Sequence, residues 1–220
     1  MWNRIEKLLP RYVHIPLLTA CGMNILAYYG TRLLTANAYH YDISLPLDDM
    51  IPLCPAFIVI YILSYLQWAI GFIIIARESR EICYRIIGGE IIAKCLCIIL
   101  FLAFPTALVR PEITGDGLFS FLTRLIYALD EPNTLFPSIH CLESWICLRG
   151  AMAVKKTPRW YLWVSLVFTL LVFASTVFTK QHVLLDIPAG IAVAEIGLFL
   201  SAKFGFGRLF ERAEQAFVKG

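Results

Sequence analysis

The chain has 220 residues, 59% of them hydrophobic and 16% charged, with a net charge of +3. Its apolar residues stand in long blocks rather than in the spaced stripes of water-soluble helices, which excludes an ordinary soluble domain and leaves an integral membrane protein. So small a net charge also gives no nucleic-acid-binding surface; the basic residues report topology instead.

A helix needs about 20 mostly apolar residues to cross the hydrocarbon core of a bilayer. In chain order the expected spans are residues 13–34, 51–76, 86–109, 138–154, 160–178 and 184–202. The first has no small-residue cleavage site after a short apolar core and reads as a retained anchor rather than a signal peptide. No tract repeats and no linker marks a second domain. Residues 1–220 therefore read as one all-α domain, a bundle of six transmembrane helices.

Lysine and arginine orient it. With the N-terminus inside, the inner segments, including Arg4, Lys7 and Lys219, hold 13 of the 19 basic residues. That asymmetry places both termini in the cytoplasm. The outer segments are then an acidic loop (35–50), a long loop (110–137) and a very short one (179–183). Within the long loop, Leu118, Leu122, Leu125 and Leu129 form one helical stripe, so residues 117–129 are expected as an interfacial helix. It either borders a lateral path for lipid tails or is a packed loop helix. Asp130 and Glu131 after it are expected to be solvated.

Seven cysteines lie in or beside the apolar spans without ligand-like spacing, which argues against a disulfide framework and a zinc site. They read as small packing residues.

The reactive residue types gather on the outer side. Arg110 and Pro111 are expected directly after the third span, Ser138 and His140 open the fourth, and Lys180, His182 and Asp186 open the last. In "KQHVLLD", His182 and Asp186 are four residues apart, so on a helix they share a face. The carboxylate could then fix the imidazole tautomer and leave the other nitrogen as a nucleophile or base. The plainer reading is a polar pair at a helix start. In "FPSIH", Pro137 suits a first helical turn whose free N–H groups, with the Ser138 hydroxyl, make an anion cradle within reach of His140. The plainer reading there is a Ser-capped helix. Arg110 alone reads equally as a snorkelling anchor.

These stretches resemble the type 2 phosphatidic acid phosphatase superfamily. "FPSIHC" is similar to its Pro-Ser-x-His motif, and "STVFTKQHVLLD" to Ser-Arg-x5-His-x3-Asp from Ser175 to Asp186. "VRP" at Val109 to Pro111 is similar to the end of Lys-x6-Arg-Pro. The resemblance covers the whole length. Two positions depart: Ala103 stands where the first motif has lysine, and Thr176 where the third has arginine. Lys180 and Arg124 are the cations available to compensate. These departures also resemble the sphingolipid head-group transferase branch.

The resemblance implies a metal-independent, cofactor-free phosphatase acting on a membrane lipid phosphate at the outer face of the cytoplasmic membrane. His182, held by Asp186, would attack phosphorus to form a phosphohistidine while His140 protonates the leaving oxygen. Arg110, Ser138 and Lys180 would bind the phosphate, with Arg124, Glu143 and Thr176 as auxiliary residues. Phosphatidate, phosphatidylglycerophosphate and isoprenyl diphosphates all present a suitable terminal phosphate. An alcohol in place of water would make the same site a transferase. A metal hydrolase with His140, His182 and Asp186 as ligands and a non-catalytic transporter or scaffold are the other classes weighed.

Deeper in the spans, Glu143 is placed one turn below His140, where it lines the same cavity or bonds to a neighbouring helix. Glu90 and Lys94 are spaced to neutralise each other. Glu195 lies about 13 Å beyond Asp186 along a helix, too deep for the chemistry.

Overall fold

In lipid every backbone N–H and C=O needs a partner within the protein, so long apolar runs fold as helices. The computed structural model describes residues 9–218, which contain helices, two isolated backbone bridges and no strand. Helix α1 (His14–Ile25) runs on through a π-helical stretch (Leu26–Gly30) into α2 (Thr31–Thr35). There follow α3 (Pro46–Met50), α4 (Ile58–Glu78), α5 (Arg80–Ala103), α6 (Leu118–Leu129), α7 (Ile139–Ala153), α8 (Trp160–Phe178), α9 (Asp186–Phe204) and α10 (Gly207–Val218). The N-terminal Arg4 and Lys7 and the C-terminal Lys219, on which the cytoplasmic placement of the termini partly rests, lie outside the described residues.

Among the described residues, four helices are long and apolar enough to cross a membrane: α5, α8, α9, and α4 together with the 3-10 turn before it. The other two expected spans take different forms. Residues 13–34 are helical but wound in successive 3-10, α and π pieces. Helix α7 has 15 residues, ten of them buried. At about 22 Å it is shorter than the hydrocarbon core, and α4, α8 and α9 enclose it. Protein rather than lipid therefore surrounds its buried Glu143 and Ser144.

The third span begins and ends six residues earlier than its apolar run suggests. Ser79 caps α5 by accepting the Ile82 N–H at 3.1 Å, so the charged first turn belongs to the helix. Pro105 ends it, because the residue before a proline is pushed out of the α region, and Phe104 takes φ −142°. Arg110 consequently does not follow the span directly. It sits on an extended stretch that runs back over the bundle end. The Ala107 N–H donates to Tyr41 O at 3.0 Å, and the Leu135 and Phe136 N–H groups both donate to Thr106 Oγ1, tying the outer loops together.

Helices α5 and α9 approach at backbone contact. A Cβ on Gly197 would lie 2.3 Å from the Gly89 carbonyl oxygen, so only glycine fits. Helix α10, not expected from the apolar blocks, turns back after Gly205 (φ +60°). It packs Phe210 on Tyr84 and pairs Glu214 with Arg80 at 3.2 Å.

Candidate active site

Helices α7 and α9 begin, and α5 and α8 finish, at one end of the bundle, and the polar residues of the motifs collect there. Thr176, buried in the last turns of α8, accepts the Gln181 and His182 N–H groups on its carbonyl at 2.9 and 3.0 Å. The chain reverses sharply here, with Lys180 in the left-handed region at φ 53°. His182 lies in the loop that results, and Asp186 opens α9. The two are thus not stacked on one helical face, as their spacing suggested. The carboxylate folds back over the turn, and its Oδ2 takes both His182 Nδ1 at 2.9 Å and the Val183 N–H at 3.1 Å. This fixes the imidazole with Nδ1 protonated and Nε2 carrying the lone pair.

Ser138 is fully buried and caps α7, accepting the Cys141 N–H at 3.3 Å. Its hydroxyl thereby serves the helix, and the first turn of α7 rests on Gly190 of α9, where a Cβ would lie 2.8 Å from the Ser138 carbonyl oxygen. That turn carries His140. The His140 ring stacks on Tyr61 with centroids 4.1 Å apart, and Trp68 lies at 5.0 Å. Trp68 is itself fixed by donating to Ser144 Oγ at 3.1 Å. Nε2 of His140 has no protein hydrogen-bond partner, and the ring centroid is 6.1 Å from that of His182.

His182 stands between two cavities. One, of about 360 Å³, is walled by Tyr28, Tyr61, Tyr65, Trp68 and His140, with Asp130 and Asn24 among its polar groups. Ile25, Tyr29 and Leu129 also line it and are exposed on the outside of the bundle, so it opens sideways between α1 and α6. The other, of about 430 Å³, carries the cations Arg110 and Lys180 together with Ser44, Asp48 and Asp49. Arg110 donates to the Asp130 carbonyl and to Gln181 Oε1, and its guanidinium lies 4.6 Å over the Tyr127 ring. Burial draws the Arg110 pKa down against the attraction of Asp130. Burial likewise pushes the Tyr127 phenol up to about 12, so it stays a neutral donor to Thr179 O at 2.8 Å. Lys180 Nζ donates to Asp48 O at 2.7 Å.

The remaining expected residues lie apart. Arg124 donates to the carbonyls of Ile113 and Gly115 and lines neither cavity. Glu143 pairs with Lys94 at 2.5 Å, whereas Glu90, the partner expected for Lys94, lies at 3.9 Å. Lys94 also donates to Asn24 at 2.7 Å, which joins this buried network to the cavity wall. Glu195 accepts from Trp145 and Arg149, each at 2.7 Å. The outer helix exposes Leu118, Leu125 and Leu129, keeps Leu122 half-buried and buries Ser120 and Thr123, a pattern consistent with a helix lying against lipid.

Three features escaped the sequence reading. Asp130 is half-buried rather than simply solvated, since Tyr28 and Tyr61 both donate to its carboxylate, while Glu131 beside it is exposed as expected and is reached by Arg32 at 2.8 Å. Asp48 holds the loop that carries His182 by accepting the Leu184 N–H at 2.7 Å. Its signal was the "LPLDD" start of α3, where a proline at the first position and an acid at the third mark a helix N-terminus. Tyr61, Tyr65 and Trp68 sit at i, i+4 and i+7, a stripe that a turn-by-turn reading of the second span identifies.

Residues 37–200 match the family model described as "PAP2 superfamily". No curated protein and no solved structure matches the chain.

Proposed function

The chain belongs to the PAP2 superfamily, whose members are generally phosphatases, and from that premise we propose that it removes the terminal phosphate of a membrane lipid without metal, through a phosphohistidine on His182. The observation that carries the reading is the carboxylate-held imidazole of His182, set between a cation-bearing cavity and one that holds a second histidine.

In this reading all six apolar segments cross the cytoplasmic membrane and the site faces outward. The phosphate enters beside Arg110 and Lys180, whose charges offset that developing on its oxygens. Nε2 of His182 attacks phosphorus, the P–O bond to the lipid breaks, and His140 gives a proton to the departing oxygen. Asp186 stabilises the imidazolium that would otherwise form at cost in a dry site. His140, now a base, takes a proton from water, which attacks the phosphohistidine and frees phosphate. Ser138 acts through the helix it caps, aiming His140. The sideways opening between α1 and α6 lets the tails stay in the bilayer.

A second reading, transfer to an alcohol, is favoured by Ala103 and Thr176 standing where the family's first and third motifs carry cations. Purified protein offered a panel of lipid phosphates with a chelator present, with and without added alcohols, tests both. Phosphate release lost in His182→Ala supports hydrolysis, a new phosphate monoester of the added alcohol supports transfer, and release unchanged in that variant overturns both.

A further inference from the structure

The two cavities that meet at His182 differ in charge, and the difference bears on which lipid phosphates the site accepts. Arg110 and Lys180 line only the cavity of about 430 Å³. The cavity of about 360 Å³, which alone contains His140, has no lysine or arginine in its wall and one carboxylate, Asp130. The cations nearest to that wall are already engaged: Arg110, which lines the other cavity, donates to the Asp130 carbonyl and to Gln181 Oε1. Arg32 pairs with Glu131 at 2.8 Å and lies 3.9 Å from Asp130, and Lys94 pairs with Glu143 at 2.5 Å. Apart from the two histidines, the rest of the wall is apolar and aromatic, with Asn24, Asn133 and Thr134 as neutral polar groups.

On the reading above, the group that leaves phosphorus departs beside His140, its proton donor, and so into the aromatic cavity. We infer that this site selects lipid monophosphates, whose leaving group is an uncharged alcohol, over lipid diphosphates. With a monophosphate, the new P–N bond to His182 forms as the P–O bond breaks, and the alkoxide takes the proton of His140 to leave as a neutral alcohol. With a diphosphate, attack at the terminal phosphorus expels a lipid monophosphate carrying one to two negative charges. That anion would enter a partly dry, aromatic space facing Asp130, with no cation in the wall to meet it. The proton on His140 does not remedy this, since it is given up in the same step.

The inference rests on the phosphohistidine reading, and the test separates the two. Purified protein in detergent is given an isoprenyl monophosphate and the diphosphate of the same tail, and phosphate release is followed for each. The inference expects kcat/KM for the monophosphate to be greater by about tenfold or more. Leu129→Lys, which sets a cation at the exposed mouth of the cavity, and Asp130→Asn, which removes the carboxylate charge, each shift the ratio toward the diphosphate. Leu129→Lys keeps the test usable should Asp130→Asn misfold. Equal or faster turnover of the diphosphate overturns the inference and leaves the histidine chemistry standing. A ratio that neither variant moves also overturns it, because the wall charge would then play no part. Hydrolysis of neither substrate, or hydrolysis undiminished in His182→Ala, overturns the underlying reading and the inference with it.

Discussion

Tyr61 lies over His140 with ring centroids 4.1 Å apart and planes within 23°, while its hydroxyl reaches the Asp130 carboxylate at 3.3 Å. The span before the motifs thus sets the ring plane of the proposed acid. Tyr61→Phe keeps the stack and should lose less than about tenfold in kcat, whereas Tyr61→Ala frees the ring and should lose about a hundredfold, the cost of a misplacement near 1 Å. Steady-state kinetics of the pair check this, and equal losses would mean that the hydroxyl, not the stack, matters.

Asp186 holds the His182 tautomer and would stabilise its positive charge. Asp186→Asn should leave thermal unfolding nearly unchanged while lowering kcat by about 10⁴, with KM little altered. A loss carried mainly by KM would assign the carboxylate to substrate binding instead.

The two outer arginines should separate cleanly. Arg110→Ala removes a half-buried guanidinium from the cavity that we assign to phosphate and should cost about a hundredfold or more in kcat/KM. Arg124→Ala removes a side chain that holds two loop carbonyls and should change kcat/KM by less than about threefold. Comparable losses would show that Arg124 reaches the substrate and takes up the role of a missing family cation.

The Lys94 ammonium is buried between Glu143 and Glu90 and also bonds Asn24. Lys94→Met leaves the carboxylates without a counter-charge and should destabilise the protein by about 3–5 kcal/mol. Adding Glu143→Gln should recover part of the loss. Thermal unfolding in detergent measures both, and a Lys94→Met protein as stable as the parent would place the network outside the stabilising core.

Much of the fold was legible because lipid imposes a simple rule on sequence. The run from Trp160 to Phe178 was found to the residue, since charged and loop residues bound it on both sides. Boundaries failed where local chemistry overrode hydropathy, as at Ser79, whose cap draws Arg80 and Glu81 into α5. Of the site, His140, His182 and Asp186 could be read from motif spacing, although the His182–Asp186 bond forms across a turn rather than along a helix. Asp48 and Tyr61 left local signals of a helix start and a helical stripe, but their partners, like those of Asp130, lie 69 to 136 residues away, a pairing that no local pattern encodes.

The central claim is that phosphate passes through His182, and covalent trapping tests it most directly. Purified protein mixed with a lipid monophosphate labelled in its phosphate and quenched within the first turnover should carry label that is stable to alkali, labile to acid, and mapped to the peptide containing His182. The label should be absent from His182→Ala and should accumulate in His140→Ala when a substrate with a good leaving group is used. Steady turnover with no protein-bound label in either the parent or His140→Ala would contradict the account.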